Sequence, residues 1–104
     1  MGKVAMIVKS KAQPGRRDEV RAAYERMLAP RAETNADQEL VVWAVDAADP
    51  DAFYLFEVYR DRESMEANGQ APWFFECLGT LGPLLAGQPE VILAEPVWAK
   101  GAAV

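Results

Sequence analysis

Hydrophobic and polar positions follow two different periods along this chain, and the period of two marks its strands. Alternating apolar side chains predict a strand over residues 4–11. Mostly apolar runs bounded by turn residues predict further strands over residues 39–46, 52–59 and 90–99. The turn at residues 48–51, which contains Asp-Pro-Asp, joins the second and third strands as a hairpin.

Helical spacing of apolar positions marks the segment after the first strand. The pattern predicts a helix that begins near Arg16, with acidic residues in its first turn. Pro30 lies late in this segment and cannot donate a helical hydrogen bond. The helix therefore either ends at Ala29 or kinks and continues to about Glu33.

Two shorter helices are predicted in the second half of the chain. Asp61 is suited to cap the first of them and Gly69 to end it, while Pro72 fits the opening position of the next. The order is then β-α-β-β-α-β, the ferredoxin-like α+β arrangement, with a four-stranded antiparallel sheet and helices on one face. With 104 residues the chain is expected to be a single domain, residues 1–104.

Several strands carry apolar residues on both faces, although helices are expected to cover only one face of the sheet. The uncovered face would be larger than the apolar patches that monomers usually expose. The pattern therefore predicts a homodimer that packs sheet face against sheet face about a two-fold axis, which gives a dimeric α+β barrel.

Charge and composition limit which binding partners and which cellular compartment we expect for this protein. The net charge is −5 and no basic block occurs, which argues against nucleic acid and anionic membranes as partners. The first apolar stretch is too short for a signal peptide or a spanning helix, and the single Cys77 cannot form an internal disulfide. We therefore expect a soluble cytoplasmic protein without a membrane partner.

The sequence contains no histidine, and this absence excludes whole classes of chemistry. Catalysis by Ser-His-Asp or Cys-His, and histidine ligation of zinc or haem, all require an imidazole. The glycine-rich loops that bind dinucleotides and nucleotide phosphates do not occur either. We expect no metal site and no cofactor, and a chemistry that depends on carboxylates, amides, phenols and indoles.

Asn68 and Trp73 are the first candidates for such chemistry. They flank the turn between the two short helices, and both carry N–H donors that can hold a phenolate or enolate oxygen. The structural alternative is that Asn68 satisfies the end of its helix while Trp73 belongs to the core.

Glu57 is the third catalytic candidate because it is a carboxylate inside an apolar strand. Burial would raise its pKa toward the range of a general base. The alternatives are an ion pair with Arg60 or Arg62, or a position at the edge of the sheet that faces water.

The residues predicted to line a substrate pocket are mainly aromatic. Tyrosine side chains there could hydrogen-bond a ligand, or they could be core residues with the hydroxyl at the rim. Alternation along the third strand separates these candidates, since only one face of the strand can meet the pocket. The predicted lining is Tyr24, Tyr54, Phe56, Tyr59, Met65 and Phe74.

Five short motifs, in order, resemble the antibiotic-biosynthesis monooxygenase superfamily of dimeric α+β barrels. They are Pro14-Gly15 before the first helix, Glu33 after it, Asp49-Pro50 in the hairpin, Glu57-Val58-Tyr59 in the third strand, and the segment Met65 to Phe74. The resemblance covers nearly the whole chain. It implies a cavity between helices and sheet that binds small aromatic or quinone-like molecules.

The resemblance also implies an activity, and the departures from it refine that activity. Many relatives carry histidine where Asn68 stands, and often where Trp73 stands, so chemistry that uses those imidazoles, such as haem degradation, is disfavoured here. Asn and Trp occur in the cofactor-free, quinone-forming oxygenases of the superfamily. We therefore expect a cofactor-independent monooxygenase that oxidises a phenolic or hydroquinone substrate with O₂. The alternatives are a non-catalytic dimer that binds a small molecule, and an isomerase or lyase of a small carbonyl metabolite.

Overall fold

A computed structural model describes residues 2–101 of the chain. Its sheet has the strand order β2-β3-β1-β4, and every neighbouring pair is antiparallel. This confirms the predicted ferredoxin-like α+β fold. The elements are β1 (Val4–Lys11), α1 (Arg17–Met27), α2 (Ala29–Thr34), β2 (Gln38–Val45), β3 (Ala52–Tyr59), α3 (Arg62–Gly69), α4 (Pro72–Leu81), one 3₁₀ turn (Gly82–Leu84) and β4 (Glu90–Ala94).

The first helical segment breaks before its proline and then restarts. The N–H of Leu28 donates to the Tyr24 carbonyl at 2.9 Å and closes α1, and Pro30 lies in the first turn of α2. A proline is tolerated in a first turn because the N–H that it lacks would have no helical partner there. Of the two outcomes left open, the chain therefore takes the broken helix that continues, and it ends at Thr34.

Helix α3 begins and ends at the predicted residues. The Asp61 carboxylate accepts from the Ser64 N–H at 2.8 Å, and the Ser64 hydroxyl accepts from the Asp61 N–H at 3.3 Å. This reciprocal pair satisfies two amide donors that the first turn would otherwise leave unpaired. The helix ends at Gly69, and Pro72 opens α4.

The prediction that the last strand runs over residues 90–99 is wrong, since β4 ends at Ala94. Its partner β1 begins at Val4, and the ladder between them closes with the pair Ala5–Ala94. Pro96 follows and has no N–H to extend a ladder. Val97 and Trp98 are consequently exposed and lie outside the sheet.

The two faces of the sheet have different surroundings. On the helix side, Val20, Phe53 and Leu81 belong to the buried core. On the open side, Leu40, Val42 and Phe56 are 39%, 45% and 40% exposed. No helix within residues 2–101 is long and apolar enough to cross a membrane.

Candidate active site

A cavity of about 610 Å³ lies between the helices and the covered face of the sheet. Side chains from all four strands form one wall, and all four helices contribute to the rest. Most of its lining is aliphatic, aromatic or methionine, which suits an apolar ligand. The polar groups are few, and four of them, Gln38, Glu57, Tyr59 and Asn68, are joined to one another by hydrogen bonds.

Seven of the nine residues predicted for the site line this cavity. They are Tyr24, Glu57, Tyr59, Met65, Asn68, Trp73 and Phe74. The other two, Tyr54 and Phe56, do not. They lie on the open face of β3, because successive side chains of a strand point to opposite faces. The expectation that they line the cavity is corrected accordingly.

Glu57 and Tyr59 form the centre of a buried hydrogen-bond network. The Tyr59 hydroxyl donates to Oε1 of Glu57 at 2.7 Å. The side-chain amide of Gln38 donates to the same Oε1 at 2.7 Å and to the Tyr59 oxygen at 2.9 Å. Glu57 is 8% exposed and Tyr59 is 1% exposed, so these bonds form away from bulk water.

Asn68 extends the network toward the helices. Its Nδ2 donates to the Tyr59 hydroxyl oxygen at 3.0 Å, and its Oδ1 faces Nδ2 of Asn35 at 3.4 Å. These two partners orient the amide so that its nitrogen faces the strand. Because the nitrogen carries two hydrogens and Tyr59 uses one, a second donor remains.

The surroundings of Glu57 raise its pKa above the ordinary value of a glutamate. Burial raises the pKa of its carboxyl, and the hydrogen bonds from Tyr59 and Gln38 oppose this shift only in part. All hydrogen bonds that Glu57 accepts from residues 2–101 go to Oε1. Oε2 is therefore the oxygen left for a ligand.

The alternative assignments for Glu57, an ion pair with Arg60 or Arg62 or a water-facing edge position, do not match the structure. Arg60 pairs with Asp37 at 2.8 Å, and Arg62 pairs with Glu66 at 3.2 Å. Strand β3 also lies inside the sheet, between β2 and β1.

The two tyrosines on the cavity side remain protonated at neutral pH. Burial raises the pKa of Tyr59 and of Tyr24, and the nearby Glu57 carboxylate adds to both shifts. Tyr59 therefore acts as a hydrogen-bond donor and acceptor in the network, and its hydroxyl is committed to Glu57.

Trp73 lies on the first turn of α4, where its ring lines the cavity. It packs edge-on against Phe74, with ring centroids 5.9 Å apart, and the Arg31 guanidinium lies 5.2 Å from its centroid. The Arg31 contact joins α2 to α4 beside the cavity. Within residues 2–101 the indole N–H of Trp73 makes no hydrogen bond, and it is not among the buried polar atoms that lack a partner.

Sequence reasoning missed Gln38 and Asn35 as members of the network. Gln38 pairs with Tyr59 across the β2–β3 ladder, just before a register shift. Asn35 follows α2, and it is 33 positions from Asn68 in the sequence. The register of the hairpin, counted back from its turn, would have placed Glu39 opposite Tyr59, because the register shifts between Gln38 and Leu40. No local pattern could have found Asn35.

A second cavity, of about 560 Å³, lies between α1, α2 and the edge strand β2. It contains charged surface groups such as the pair Arg21–Glu25 at 2.7 Å. Its composition suits water better than an apolar ligand. Among residues 2–101, no group of three or more acidic, cysteine or histidine side chains is placed to hold a metal.

Comparison with known proteins gives the family. The sequence model of the family described as antibiotic biosynthesis monooxygenase matches residues 3–77, which include β1 to β3, α3 and the first part of α4. A search of curated proteins finds no significant match.

Solved structures resemble the chain over nearly its full length. One from Chloroflexus aurantiacus, named for the same family, is 28% identical with a TM-score of 0.81, and covers 96% of this chain and 98% of its own. One from Caulobacter crescentus, likewise named, is 16% identical with a TM-score of 0.86 and covers 93% and 92%. Rv0793 from Mycobacterium tuberculosis is 23% identical with a TM-score of 0.81 and covers 97% and 100%. The family match extends over most of the chain, and this protein therefore belongs to the antibiotic biosynthesis monooxygenase family.

Proposed function

We propose that this protein is a cofactor-independent monooxygenase that oxidises a phenolic or hydroquinone-type aromatic substrate with O₂. The observation that carries the proposal is the Glu57 carboxyl, buried in the wall of an aromatic-lined cavity with Oε2 free. A carboxyl with a raised pKa is suited to accept a proton from a weakly acidic hydroxyl. The family and the names of several relatives support the same class of reaction.

The chemistry needs no external reductant. A phenol that becomes a quinone gives up four electrons, which is the number that one O₂ molecule accepts. One oxygen atom enters the ring as the new carbonyl, and the other leaves as water with the two hydrogens that the substrate loses. Removal of the hydroxyl proton comes first, because the phenolate gives up an electron to O₂ more readily than the phenol.

The proposed roles follow from the free donors and acceptors. Oε2 of Glu57 takes the hydroxyl proton, while Oε1 stays bonded to Tyr59 and Gln38. The second N–H of Asn68 and the indole N–H of Trp73 hold the resulting oxyanion. In this assignment Tyr59 orients Glu57 and Asn68 and does not itself react.

The rest of the cavity would hold the ring system. Tyr24, Met65 and Phe74 supply flat or adaptable apolar surface. An apolar wall keeps water from the reduced oxygen species, and it strengthens the interaction of the oxyanion with its donors.

Oxygen consumption on a panel of anthrones and hydroquinones tests the proposal. We expect turnover by the wild type and a loss of about 100-fold in kcat for Asn68→Ala, which removes an oxyanion donor. Trp73→Phe keeps the aromatic surface and removes only the N–H, so a smaller loss is expected. Unchanged rates in both variants would overturn the site assignment.

Two further arms of this experiment address the other candidate functions. Tight binding of an aromatic ligand without oxygen uptake would indicate a binding protein. Activity that persists under anaerobic conditions would indicate an isomerase or lyase.

We also propose that the functional unit is a homodimer formed through the open face of the sheet. Leu40, Val42 and Phe56 form an exposed apolar group on that face. Apolar groups of this kind are typical of interfaces rather than of free surfaces. Burial against a second copy about a two-fold axis would remove them from water.

Size-exclusion chromatography with light scattering tests the dimer. We expect a dimer for the wild type and a monomer for Phe56→Asp. The matched control is Phe75→Asp, because Phe75 is also exposed but lies on α4, away from this face. A monomeric wild type at micromolar concentration would contradict the proposal.

A further inference from the structure

We infer that the cavity selects uncharged aromatic alcohols and rejects ligands that carry a carboxylate, sulfonate, phosphate or ammonium group. This inference rests on the proposed function, since it names the charge of the ligand at the same site. It means that the substrate enters with its hydroxyl proton in place and loses it only beside Glu57.

The charges around the cavity support this selection. Among the described residues that line it, none is lysine or arginine, and two are acidic, Glu57 and Glu66. An anionic ligand would lose its hydration on entry without gaining a cation. It would also approach a carboxyl that is already buried.

Cations beside the cavity do not supply the missing positive charge. Arg62 is paired with Glu66 at 3.2 Å, and Arg60 with Asp37 at 2.8 Å. Arg31 covers the ring of Trp73, but its side chain is exposed, so water screens its charge.

A cationic ligand is disfavoured for a different reason. Among the described residues that line the cavity, Glu57 is the only buried carboxyl, and its Oε1 already accepts two hydrogen bonds. The other carboxyl, Glu66, is exposed and paired with Arg62. A neutral hydroxyl can donate to Oε2 without the loss of hydration that an ammonium group would suffer.

Three ligands of the same shape and different charge test the inference. They are 2-naphthol, naphthalene-2-sulfonate and 2-naphthylmethylamine, titrated by calorimetry at pH 7 under anaerobic conditions. The hydroxyl of 2-naphthol stays protonated at pH 7, because phenolic hydroxyls have a pKa of about 10. We expect it to bind at least about tenfold more tightly than either charged ligand, a difference of about 1.4 kcal/mol.

A charge introduced into the lining provides the matched comparison. Gln70 lines the cavity and is exposed, so Gln70→Lys places a cation there without disturbing the core. Ala67→Lys adds the same charge nearby, on α3, at an exposed position outside the lining. Because water also screens a lysine at this exposed position, we expect Gln70→Lys to raise the affinity for the sulfonate only about fivefold, and Ala67→Lys to change it less than about twofold.

The comparison of ligand affinities does not depend on catalytic turnover by the protein. Equal or tighter binding of the sulfonate or the amine by the wild type would overturn the inference, and so would a failure of 2-naphthol to bind. Selective binding of the naphthol together with no oxygen uptake on any substrate would leave the inference intact and overturn the monooxygenase proposal.

Discussion

Strand β3 carries a tyrosine near each end, and each tyrosine donates to a carboxylate in a different environment. Tyr59 bonds Glu57 on the helix side, where both groups are buried. Tyr54 bonds Asp46 on the open face beside the hairpin turn, and neither group is enclosed there. The same phenol–carboxylate pair therefore occurs twice, on opposite faces of one strand.

The pKa values of the two carboxyls shift in opposite directions. Burial raises the pKa of Glu57. Asp46 accepts from the backbone N–H groups of Ala48 and Asp49 as well as from Tyr54, and these donors lower its pKa to about 2. Hydrogen bonds stabilise the charged form in both places, but only at Glu57 does the loss of hydration outweigh them.

The comparison shows what distinguishes a candidate base from a turn residue. A carboxylate surrounded by backbone amides is held charged and is a poor proton acceptor. A carboxyl that lies against apolar walls, with one oxygen free, has a raised pKa and is a better proton acceptor. The tyrosine partner is common to both pairs and does not distinguish them.

The largest expected effect is on turnover, and it should separate the two carboxyls. Glu57→Gln keeps the size of the side chain but removes the base, so we expect the rate of oxygen uptake to fall about 10²- to 10⁴-fold. Asp46→Asn, the matched change in the other pair, should leave the rate unchanged. Similar losses in both variants would show that the difference between the pairs has no catalytic meaning.

The next effect is on stability, and it should separate the two tyrosines. Tyr59→Phe leaves Nδ2 of Asn68 without its buried partner and removes one of the two hydrogen bonds that Glu57 accepts, while Gln38 still donates to Oε1 of Glu57. We expect the free energy of unfolding in urea to fall by about 1–3 kcal/mol.

Tyr54→Phe is the control for this measurement, and it should cost less, since water can replace the lost bond to Asp46. All proteins are compared at one concentration, because association would contribute to stability. A larger loss for Tyr54→Phe would contradict the assignment of the buried network to Tyr59.

The smallest effect is on the pH dependence of stability, where the two pairs should have opposite signs. The pKa of Glu57 is raised above its ordinary value of 4.5, so the folded state keeps a proton that the unfolded state releases. The wild type should therefore lose stability relative to Glu57→Gln as the pH rises above 4.5.

Asp46 should behave in the reverse way. Its pKa is lowered from 3.8 to about 2, so its contribution is present above pH 3.8 and is lost as the pH falls toward 2. Unfolding in urea at several pH values, for the wild type, Glu57→Gln and Asp46→Asn, measures both differences. Slopes of the same sign would contradict the contrast drawn between the pairs.

Most of the fold followed from local patterns, because each signal acts over a few residues. Asp61 and Pro72 mark helix starts through the geometry of single turns. The error at β4 arose because apolar residues continue beyond Ala94 while the partner strand does not. The length of a strand depends on its neighbour as well as on its own sequence.

The candidate site was predictable only in part. Glu57, Asn68 and Trp73 stand out as polar or indole groups beside apolar residues, and all three line the cavity. Gln38 and Asn35 give no such signal, since an amide near a turn is ordinary. They join the network through contacts between residues that lie far apart in the sequence.

The sequence by itself determined the order of elements, the alternation along β3 and the absence of every imidazole, because these depend on residue identity and near neighbours. Only the tertiary structure decided which face of β3 meets the helices. Alternation places Glu57 and Tyr59 together and opposite Tyr54 and Phe56, but both faces are apolar enough to be covered. The choice is made by the packing of α1 and α4 against Phe53. That packing buries Glu57 and leaves Asp46 near solvent. The carboxyls of the two tyrosine–carboxyl pairs therefore have pKa values shifted in opposite directions.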